Sequence, residues 1–233
     1  MPVTKIFHKI LLVLVCLGLT KVAKATSEYT YKKGEYVIVR DGLAPNKQLS
    51  IAAHANGEGG YDNFHLYLMA EPAHEVMGAL ADISSSNILD TAADAYYASW
   101  SADSRHVAVA FRTDRHRLVN LIFSVTSSAT EVSGPSLYQE VIGRKTAITD
   151  FETRTELVEL SWLDAKRFIL KERRMLTSAT PRILTAFGKF GRQAEEKSSP
   201  ETYTVSFSAE AICELLPGNL YRIVDLKPGS FEE

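Results

Sequence analysis

The sequence predicts a mainly β protein built as an array of small antiparallel sheets. Short stretches of apolar, β-branched and aromatic residues alternate with polar ones, as in strands with one buried face. Clusters of Gly, Asn, Asp and Pro separate these stretches and are typical of turns. In addition, one short motif recurs three times along the chain. A β-sandwich with short helices is the alternative that the same stretches allow.

The composition narrows the class of protein. The 233 residues are 45% hydrophobic and 23% charged, which is typical of a globular chain and excludes a disordered, collagen-like or multi-span membrane protein. A net charge of −2 gives no reason to expect a nucleic-acid partner. Two cysteines are too few for a disulfide framework or a Cys-built zinc site. Cys213 lies in an apolar run, which predicts a buried, inert thiol.

The first 25 residues have the pattern of a secretory signal peptide. Lys5 and Lys9 precede an apolar run at 10–19, and Ala23 and Ala25 supply the small residues that a signal peptidase needs. A helical run of this length spans about 15 Å, roughly half of a hydrocarbon core, so it does not predict a membrane anchor. We expect cleavage near Ala25, export to the periplasm or the medium, and one β-rich domain over 26–233.

The strand signals come in pairs. The stretches 49–54 and 64–69 flank the glycine-rich loop 56–62 and predict a hairpin, and 106–111 and 121–125 predict a second one. Further strand signals lie at 36–39, 156–160, 167–170, 203–207 and 220–224. Helical signals are few and short, and they lie at 71–81, 136–143 and 209–216. In the last of these the apolar positions fit a strand equally well.

The recurring motif starts with a large apolar residue and continues through small residues, an Asp or Asn, a basic turn and an apolar strand. It starts at Leu43, Trp100 and Trp162, about 60 residues apart. Its acidic or amide residue is Asn46, Asp103 or Asp164. Such a side chain bonds the backbone just downstream in a tight turn, so it launches the following strand. We expect the large first residue to lie between neighbouring sheets.

The segment Trp100–Phe111, which reads W-S-A-D-S-R-H-V-A-V-A-F, resembles the repeat W-S-P-D-G-x-x-I-A-F of TolB-like bacterial β-propellers. Ala102 and Ser104 replace the proline and the glycine of that repeat. The resemblance implies a propeller-like array of about three to four blades in a bacterial protein. The repeats lie near 43–69, 100–125 and 162–224. Closed propellers have about 4–8 blades, so the chain is short for a ring. The sequence does not decide whether the sheets close into a ring.

Two histidines provide a candidate metal site. If the first hairpin is centred on Gly59-Gly60, His54 and His65 lie opposite each other on neighbouring strands. Asp62 lies in the loop between them. Two imidazoles and a carboxylate are competent metal ligands, which would suit a metal-dependent hydrolase. A solvated or hydrogen-bonded histidine pair is the alternative.

The segment 166–192 is strongly basic, with eight Lys or Arg residues and one acid. Its candidate anion ligands are Arg167, Lys171, Arg173 and Arg174. Such a patch could receive an anionic envelope surface, such as lipid headgroups or a cell-wall polymer. Alternation along a strand would separate Lys171 and Arg173 on one face from Glu172 and Arg174 on the other. Neutralisation by acids of the same protein is the alternative.

The sequence contains no Gly-x-Ser-x-Gly, no phosphate-binding Gly-x-x-x-x-Gly-Lys and no His-Glu-x-x-His. We therefore expect no catalytic residues and no cofactor. The sequence favours an exported, non-catalytic binding protein with a protein partner, because repeated sheets commonly present broad binding surfaces. The alternatives are a metal-dependent hydrolase using His54, Asp62 and His65, or an anion-binding module using 166–192. The partner's identity and the oligomeric state stay open.

Overall fold

The computed structural model describes residues 26–56, 63–84, 89–143, 151–194 and 202–231, apart from the side chains of Phe151 and Glu152. In these ranges the protein is mainly β, as the strand signals predict. Eight strands form one nearly closed, barrel-like sheet, and the remaining strands form a second sheet that packs against it.

The eight-stranded sheet consists of two groups of four consecutive strands. The first quartet comprises β1 (Val37–Leu43), β2 (Leu49–His54), β3 (His65–Ala70) and β4 (Glu75–Ser84). The second quartet comprises β5 (Tyr97–Trp100), β6 (His106–Asp114), β7 (Arg117–Val125) and β8 (Ala129–Val132). Successive strands of each quartet pair in antiparallel, and β1 pairs in parallel with β5, which joins the quartets.

The far edges of the two quartets, β4 and β8, lie side by side. Across this seam the side chains of Asp82 and Glu131 are hydrogen-bonded. Burial and the neighbouring carboxyl group raise the pKa of Glu131, because both disfavour its charged form. The contact brings the sheet close to a full barrel.

One hydrophobic core fills the space between the two quartets. Phe64, Tyr96 and Phe111 stack in a row there, with ring centroids 5.5 Å and 5.7 Å apart. β6 divides its side chains by size, because Val107 and Phe111 enter this core. Ala108 and Ala110, at alternate positions in the middle of β6, are small and face the second sheet.

The chain ahead of β1 is tied to the second quartet by Asp90. Its carboxylate accepts a hydrogen bond from the backbone N–H of Ser27 at 2.6 Å and binds the Arg112 guanidinium at 2.9–3.1 Å. Asp90 is buried, and an unpaired charge there would be costly. The Arg112 ion pair and the Ser27 bond therefore explain why a carboxylate is accommodated at this position.

The second sheet comprises β9 (Phe151–Trp162), β10 (Arg167–Ser178), β11 (Gly191–Gln193), β12 (Tyr203–Leu216) and β13 (Leu220–Pro228). β10 lies between β9 and β12, and the other edge of β12 pairs with β11 and β13, all in antiparallel. One face packs against the second quartet, where Ala108 and Ile122 share a core with Phe168. Cys213 lies in this core, and burial raises the pKa of its thiol to about 12, as expected of an inert cysteine.

Of the three helical signals, one corresponds to a helix and two fall mostly in strands. The signal at 136–143 is confirmed by α1 (Leu137–Ile142), which Ser136 caps by accepting a hydrogen bond from the Gln139 N–H. The ambiguous stretch 209–216 is part of β12. A second short helix, α2 (Ile183–Ala186), follows β10.

The predicted helix at 71–81 is wrong, because most of this stretch belongs to β4. β4 pairs with β3 in a hairpin, and the turn between them places His74 at a φ of +57°, which a right-handed helix does not contain. The His74 ring bonds the carbonyl oxygen of Tyr36, which is distant in sequence. Tertiary contacts therefore override the local helical pattern.

The turns that the recurring motif predicts are present. The Asn46 side chain accepts a hydrogen bond from the Gln48 N–H at 2.9 Å, Asp103 from the Arg105 N–H at 3.1 Å, and Asp164 from the Lys166 N–H at 2.8 Å. Each bond lies in the turn between the first two strands of a quartet or of the second sheet. These bonds confirm the predicted role of the side chain in launching the next strand.

Candidate functional site

His54 and His65 lie directly opposite each other on β2 and β3, as the predicted register requires. His54 is 2% exposed, and both of its ring nitrogens have partners. Nδ1 donates to the carbonyl oxygen of Glu35 at 2.6 Å, and Nε2 lies 2.8 Å from the side-chain amide of Asn56. A metal ion could reach either nitrogen of His54 only by displacing one of these partners.

Asp62, the third candidate metal ligand, lies outside the described residues. Among the residues that the structure does describe, no group of three or more His, Cys, Asp or Glu side chains is placed to hold a metal ion. His54 lies instead in an aromatic cluster, with its ring centroid 4.4 Å from that of Tyr36 and 6.2 Å from that of Tyr67. Ring packing and hydrogen bonds thus account for its burial.

The four candidate anion ligands each have an acidic partner. Arg167 lies 2.8 Å from Asp164, Lys171 lies 3.8 Å from Glu159, Arg173 lies 3.1 Å from Glu156, and Arg174 contacts Glu172. The acids come from β9, from the turn before β10 and from β10 itself. The positive charge of 166–192 is therefore neutralised, at these four residues, by carboxylates of the same sheet.

The predicted alternation along β10 is also present. Glu172 and Arg174 line a cavity that faces the second quartet, whereas Lys171 and Arg173 line a cavity on the opposite face. Glu172 is 3% exposed and accepts a hydrogen bond from the Leu137 N–H at 2.9 Å. The four basic residues are consequently divided between two faces of the sheet.

The face of the second sheet that points away from the barrel is here called the charged face. It carries the ion pairs of Lys171 and Arg173, together with a Lys227–Glu210 pair at 3.0 Å. The end of the chain crosses it, where the Ser208 hydroxyl donates to the carbonyl oxygen of Ser230 at 2.6 Å. The Lys171, Arg173 and Lys227 charges of this face are thus paired within the chain.

The face of the first quartet that points away from the barrel core is here called the open face. Cross-strand pairing puts Leu43, Ser50, Met69 and Val76 in one row across it, and Ile38, Ala52, Tyr67 and Ala79 in a second. Ile38, Leu43 and Val76 are 41%, 46% and 45% exposed. Three large apolar side chains are thus exposed on this face, whereas Ser50, Ala52 and Met69 in the same rows are buried.

The polar groups of the open face are bonded to one another. The Ser50 hydroxyl donates to the Glu71 carboxylate at 2.7 Å, and His74 donates from Nδ1 to the same carboxylate oxygen and from Nε2 to the Tyr36 carbonyl. The Tyr36 carbonyl and Glu71 raise the pKa of His74. The Ser50 and His74 hydrogen bonds lower the pKa of Glu71. The Ser50, Glu71 and His74 side chains of this face are thus bonded within the chain.

Two tryptophans make matching hydrogen bonds, one between the two quartets and one between the second quartet and the second sheet. The Trp100 indole N–H donates to the carbonyl oxygen of Gly42 at 3.0 Å, and the Trp162 indole N–H donates to that of Ser99 at 2.9 Å. Each acceptor directly precedes the first residue of the preceding motif, Leu43 or Trp100. The second motif is thus bonded to β1, which ends at the first residue of the first motif. The third motif is bonded to β5, which ends at the first residue of the second motif.

The sequence reasoning did not single out the open face. The sequence predicts Leu43 between neighbouring sheets, which is wrong, because its side chain is 46% exposed. Ile38 lies in a predicted strand, and Val76 lies in the wrongly predicted helix at 71–81. The available signal was that Leu43 stands where the two later motifs have Trp. A residue without a side-chain N–H at this position cannot make the hydrogen bond that Trp100 and Trp162 make.

No protein-family model matches the chain, and no curated protein or solved structure is significantly similar to it. No helix among the described residues has the length and apolar character needed to cross a membrane.

Proposed function

We propose that the protein is a non-catalytic binding protein whose open face docks onto an apolar β-sheet of a protein partner. The observation that carries this proposal is the exposure of Ile38, Leu43 and Val76 on one face, at 41%, 46% and 45%. Burying the exposed part of each side chain would contribute roughly 1 kcal/mol. Together they would strengthen binding about 100-fold.

The nature of the partner follows from continuity with the contacts inside the chain. In the second quartet, the face that carries Trp100 and Val107 is covered by the first quartet. In the second sheet, the face that carries Trp162 and Phe168 is covered by the second quartet. The open face carries Leu43 at the same motif position. A further sheet would therefore stack on it as the first quartet stacks on the second.

The finer fold proposal is an open, propeller-like array. The two quartets, and β9, β10, β12 and β13 of the second sheet, are each four antiparallel strands connected in order. The matching Trp100 and Trp162 links and the three matching turns support their reading as successive blades. The chain would then present one uncovered blade face at each end. Of these two faces, the charged face carries Lys and Arg side chains that are paired within the chain, and the open face carries exposed Ile38, Leu43 and Val76.

The location proposed for this binding is the bacterial periplasm or the medium, after cleavage near Ala25. The support is the signal-peptide pattern of the first 25 residues and the TolB-like motif at Trp100–Phe111. A signal sequence fused to a reporter that is active only after export would test the first part. Retention of the reporter inside the cell would contradict it.

Site-specific photo-crosslinking tests the docking proposal. A photoreactive residue is placed at Leu43 or Val76 on the open face, and at Leu220 or Val224 on β13 as controls of similar exposure, 48% and 55%. In cells that naturally make the protein, both open-face positions should crosslink to one partner, through a peptide in one of its strands. Crosslinks that join two copies of this protein would identify a second copy as the partner. Equal crosslinking from β13, or none from the open face, would contradict the proposal.

A further inference from the structure

We propose that part of the chain covers the middle of the open face as a strap, which is closed when the His74 ring is protonated and opens when the ring is neutral. The strap consists of Tyr36, just ahead of β1, and the turn 71–74 between β3 and β4. The proposal rests on the proposed function in one respect, because a partner sheet would have to occupy the same face. An open strap would therefore favour docking.

Some residues of the open face are buried although the face points away from the barrel core. Ser50, Ala52 and Met69 are each 0% exposed. Among the described residues, neither Ala52 nor Met69 belongs to one of the two hydrophobic cores. Side chains stand roughly perpendicular to a sheet, so neighbouring strands shield their sides but not their tips. We therefore infer that groups lying on the open face cover these residues.

Tyr36 supplies one part of this cover. Its ring centroid lies 4.4 Å from that of His54 on β2 and 5.3 Å from that of Tyr67 on β3. His54 shares the outward side of β2 with Ala52, and Tyr67 is the cross-strand partner of Ala52. The Tyr36 ring thus lies on the two middle strands of the first quartet.

The turn 71–74 supplies the other part. The Glu71 carboxylate accepts a hydrogen bond from the Ser50 hydroxyl of β2 at 2.7 Å, which places Glu71 on the face. The His74 ring binds the same carboxylate through Nδ1 and the Tyr36 carbonyl oxygen through Nε2. The Nε2 bond, at 2.9 Å, is therefore the contact that joins the two parts of the strap.

The two bonds of His74 require a charged ring. A carbonyl or carboxylate oxygen only accepts hydrogen bonds, and a neutral imidazole has a single N–H. Both bonds therefore form only with the imidazolium, and loss of its proton breaks one of them. The remaining N–H goes to Glu71, because hydrogen bonds to a charged acceptor are the stronger ones. The bond to the Tyr36 carbonyl is then the one that is lost.

The groups around His74 set the pH at which this happens. The Tyr36 carbonyl and then Glu71 raise the pKa of His74 above its ordinary value of 6.5. The strap is thus fully closed below pH 6.5 and opens as pH rises through the folded pKa. The other titratable or charged residues on and beside the face do not contribute to this pKa shift, and they are Glu35, Arg40, Asp41, His54, Tyr67 and Glu75.

Hydroxyl-radical labelling of the free protein tests the strap, because Met69 lies beneath it and methionine reacts readily. Labelling is compared at pH 5.5 and pH 8.5 and normalised to Met175, a partly buried residue of β10 in the second sheet. Labelling of Met69 should rise about two- to threefold at the higher pH, the size of effect expected for a partly exposed ion pair. Equal labelling of Met69 at the two pH values would overturn the proposal.

A pair of histidine variants assigns the effect to His74. His74→Ala lacks the bond to Tyr36 at every pH, so labelling of Met69 at pH 5.5 should equal that of the unaltered protein at pH 8.5. His116→Ala, in an exposed turn, is the control and should keep the pH dependence. A pH dependence that persists in His74→Ala would overturn the proposal. If His74→Ala does not fold, the pH comparison on the unaltered protein still decides the outcome.

Titration of the partner at the same two pH values separates the strap from the docking proposal. The strap predicts binding about two- to threefold tighter at pH 8.5 than at pH 5.5, and no such difference for His74→Ala. Binding that is independent of pH, while labelling of Met69 changes, would contradict the regulation of docking by the strap. A partner that docks elsewhere, while labelling of Met69 still changes with pH, would contradict the docking proposal and leave the strap itself in place.

Discussion

The open face and the charged face are both outward-facing sheet surfaces, and their chemistry differs. Ile38, Leu43 and Val76 leave the open face apolar, whereas Lys171 and Arg173 are ion-paired on the charged face. In stacked sheets an end that faces water is usually polar. The charges of the charged face are thus paired within the chain, whereas the exposed large side chains of the open face are apolar.

The largest expected effect is on the free energy of unfolding. It distinguishes the buried ion pair of β10 from the exposed ion pairs of the same sheet. Glu172→Ala should lower the free energy of unfolding by about 3–4 kcal/mol, because Arg174 and the Leu137 N–H would lose their buried acceptor. Glu159→Ala, which removes the exposed partner of Lys171, should cost less than about 0.5 kcal/mol. Urea unfolding of the two variants measures the difference, and equal losses would contradict it.

The next effect concerns the partner of the open face. Replacing Ile38, Leu43 and Val76 together by Asp should weaken partner binding about 100-fold or more, because roughly 3 kcal/mol of apolar burial is lost. The matched control replaces Leu220 and Val224 by Asp and should leave the affinity unchanged. Titration of the purified partner checks both variants. An equal loss in the control would remove the distinction between the faces.

A smaller effect tests the hydrogen bonds that the two tryptophan indoles make. Trp162→Phe removes the indole N–H that bonds the Ser99 carbonyl and should cost about 1–2 kcal/mol of stability. Trp100→Phe should cost a similar amount, because the Gly42 carbonyl loses the same kind of donor. Tyr29→Phe, at an exposed ring, is the control. Thermal unfolding that is unchanged in both Trp variants would show that these bonds do not hold the stack.

The smallest effect is a pH dependence of the stability that His74 and Glu71 contribute on the open face. The raised pKa of His74 adds stability at pH below its ordinary value of 6.5, and this is lost as pH rises through the folded pKa. The lowered pKa of Glu71 adds stability above 4.5, and this is lost as pH falls through its folded pKa. His74→Gln should therefore cost about 0.5 kcal/mol near pH 5.5 and progressively less above the folded pKa. His116→Gln, at an exposed turn, is the control, and a cost that grows with pH would contradict this account.

Local patterns predicted the features that depend on neighbouring residues. The turns at Asn46, Asp103 and Asp164 and the pairing of His54 with His65 follow from a few residues each. The alternation along β10 placed its charges on the correct faces, but their acidic partners depend on the register with β9. That register depends on how two distant stretches meet, which periodicity does not encode.

The features that the sequence did not predict are set by tertiary contacts. Most of the stretch 71–81, expected to be a helix, instead forms part of a hairpin in which His74 bonds the Tyr36 carbonyl. The open face could not be recognised because exposure depends on which sheet covers which. Ala108 and Ala110 fit any strand, and only the packing of the second sheet turns them into the floor of a cleft.

The most direct test of the central claim is hydroxyl-radical footprinting of the protein with and without its partner, because it reports the exposure of individual side chains. Docking on the open face predicts that labelling of Ile38, Leu43 and Val76 falls when the partner binds. Labelling of Leu220 and Val224, which are equally open in the free protein, should not change. Protection of the β13 residues with unchanged labelling of the open face would contradict the account.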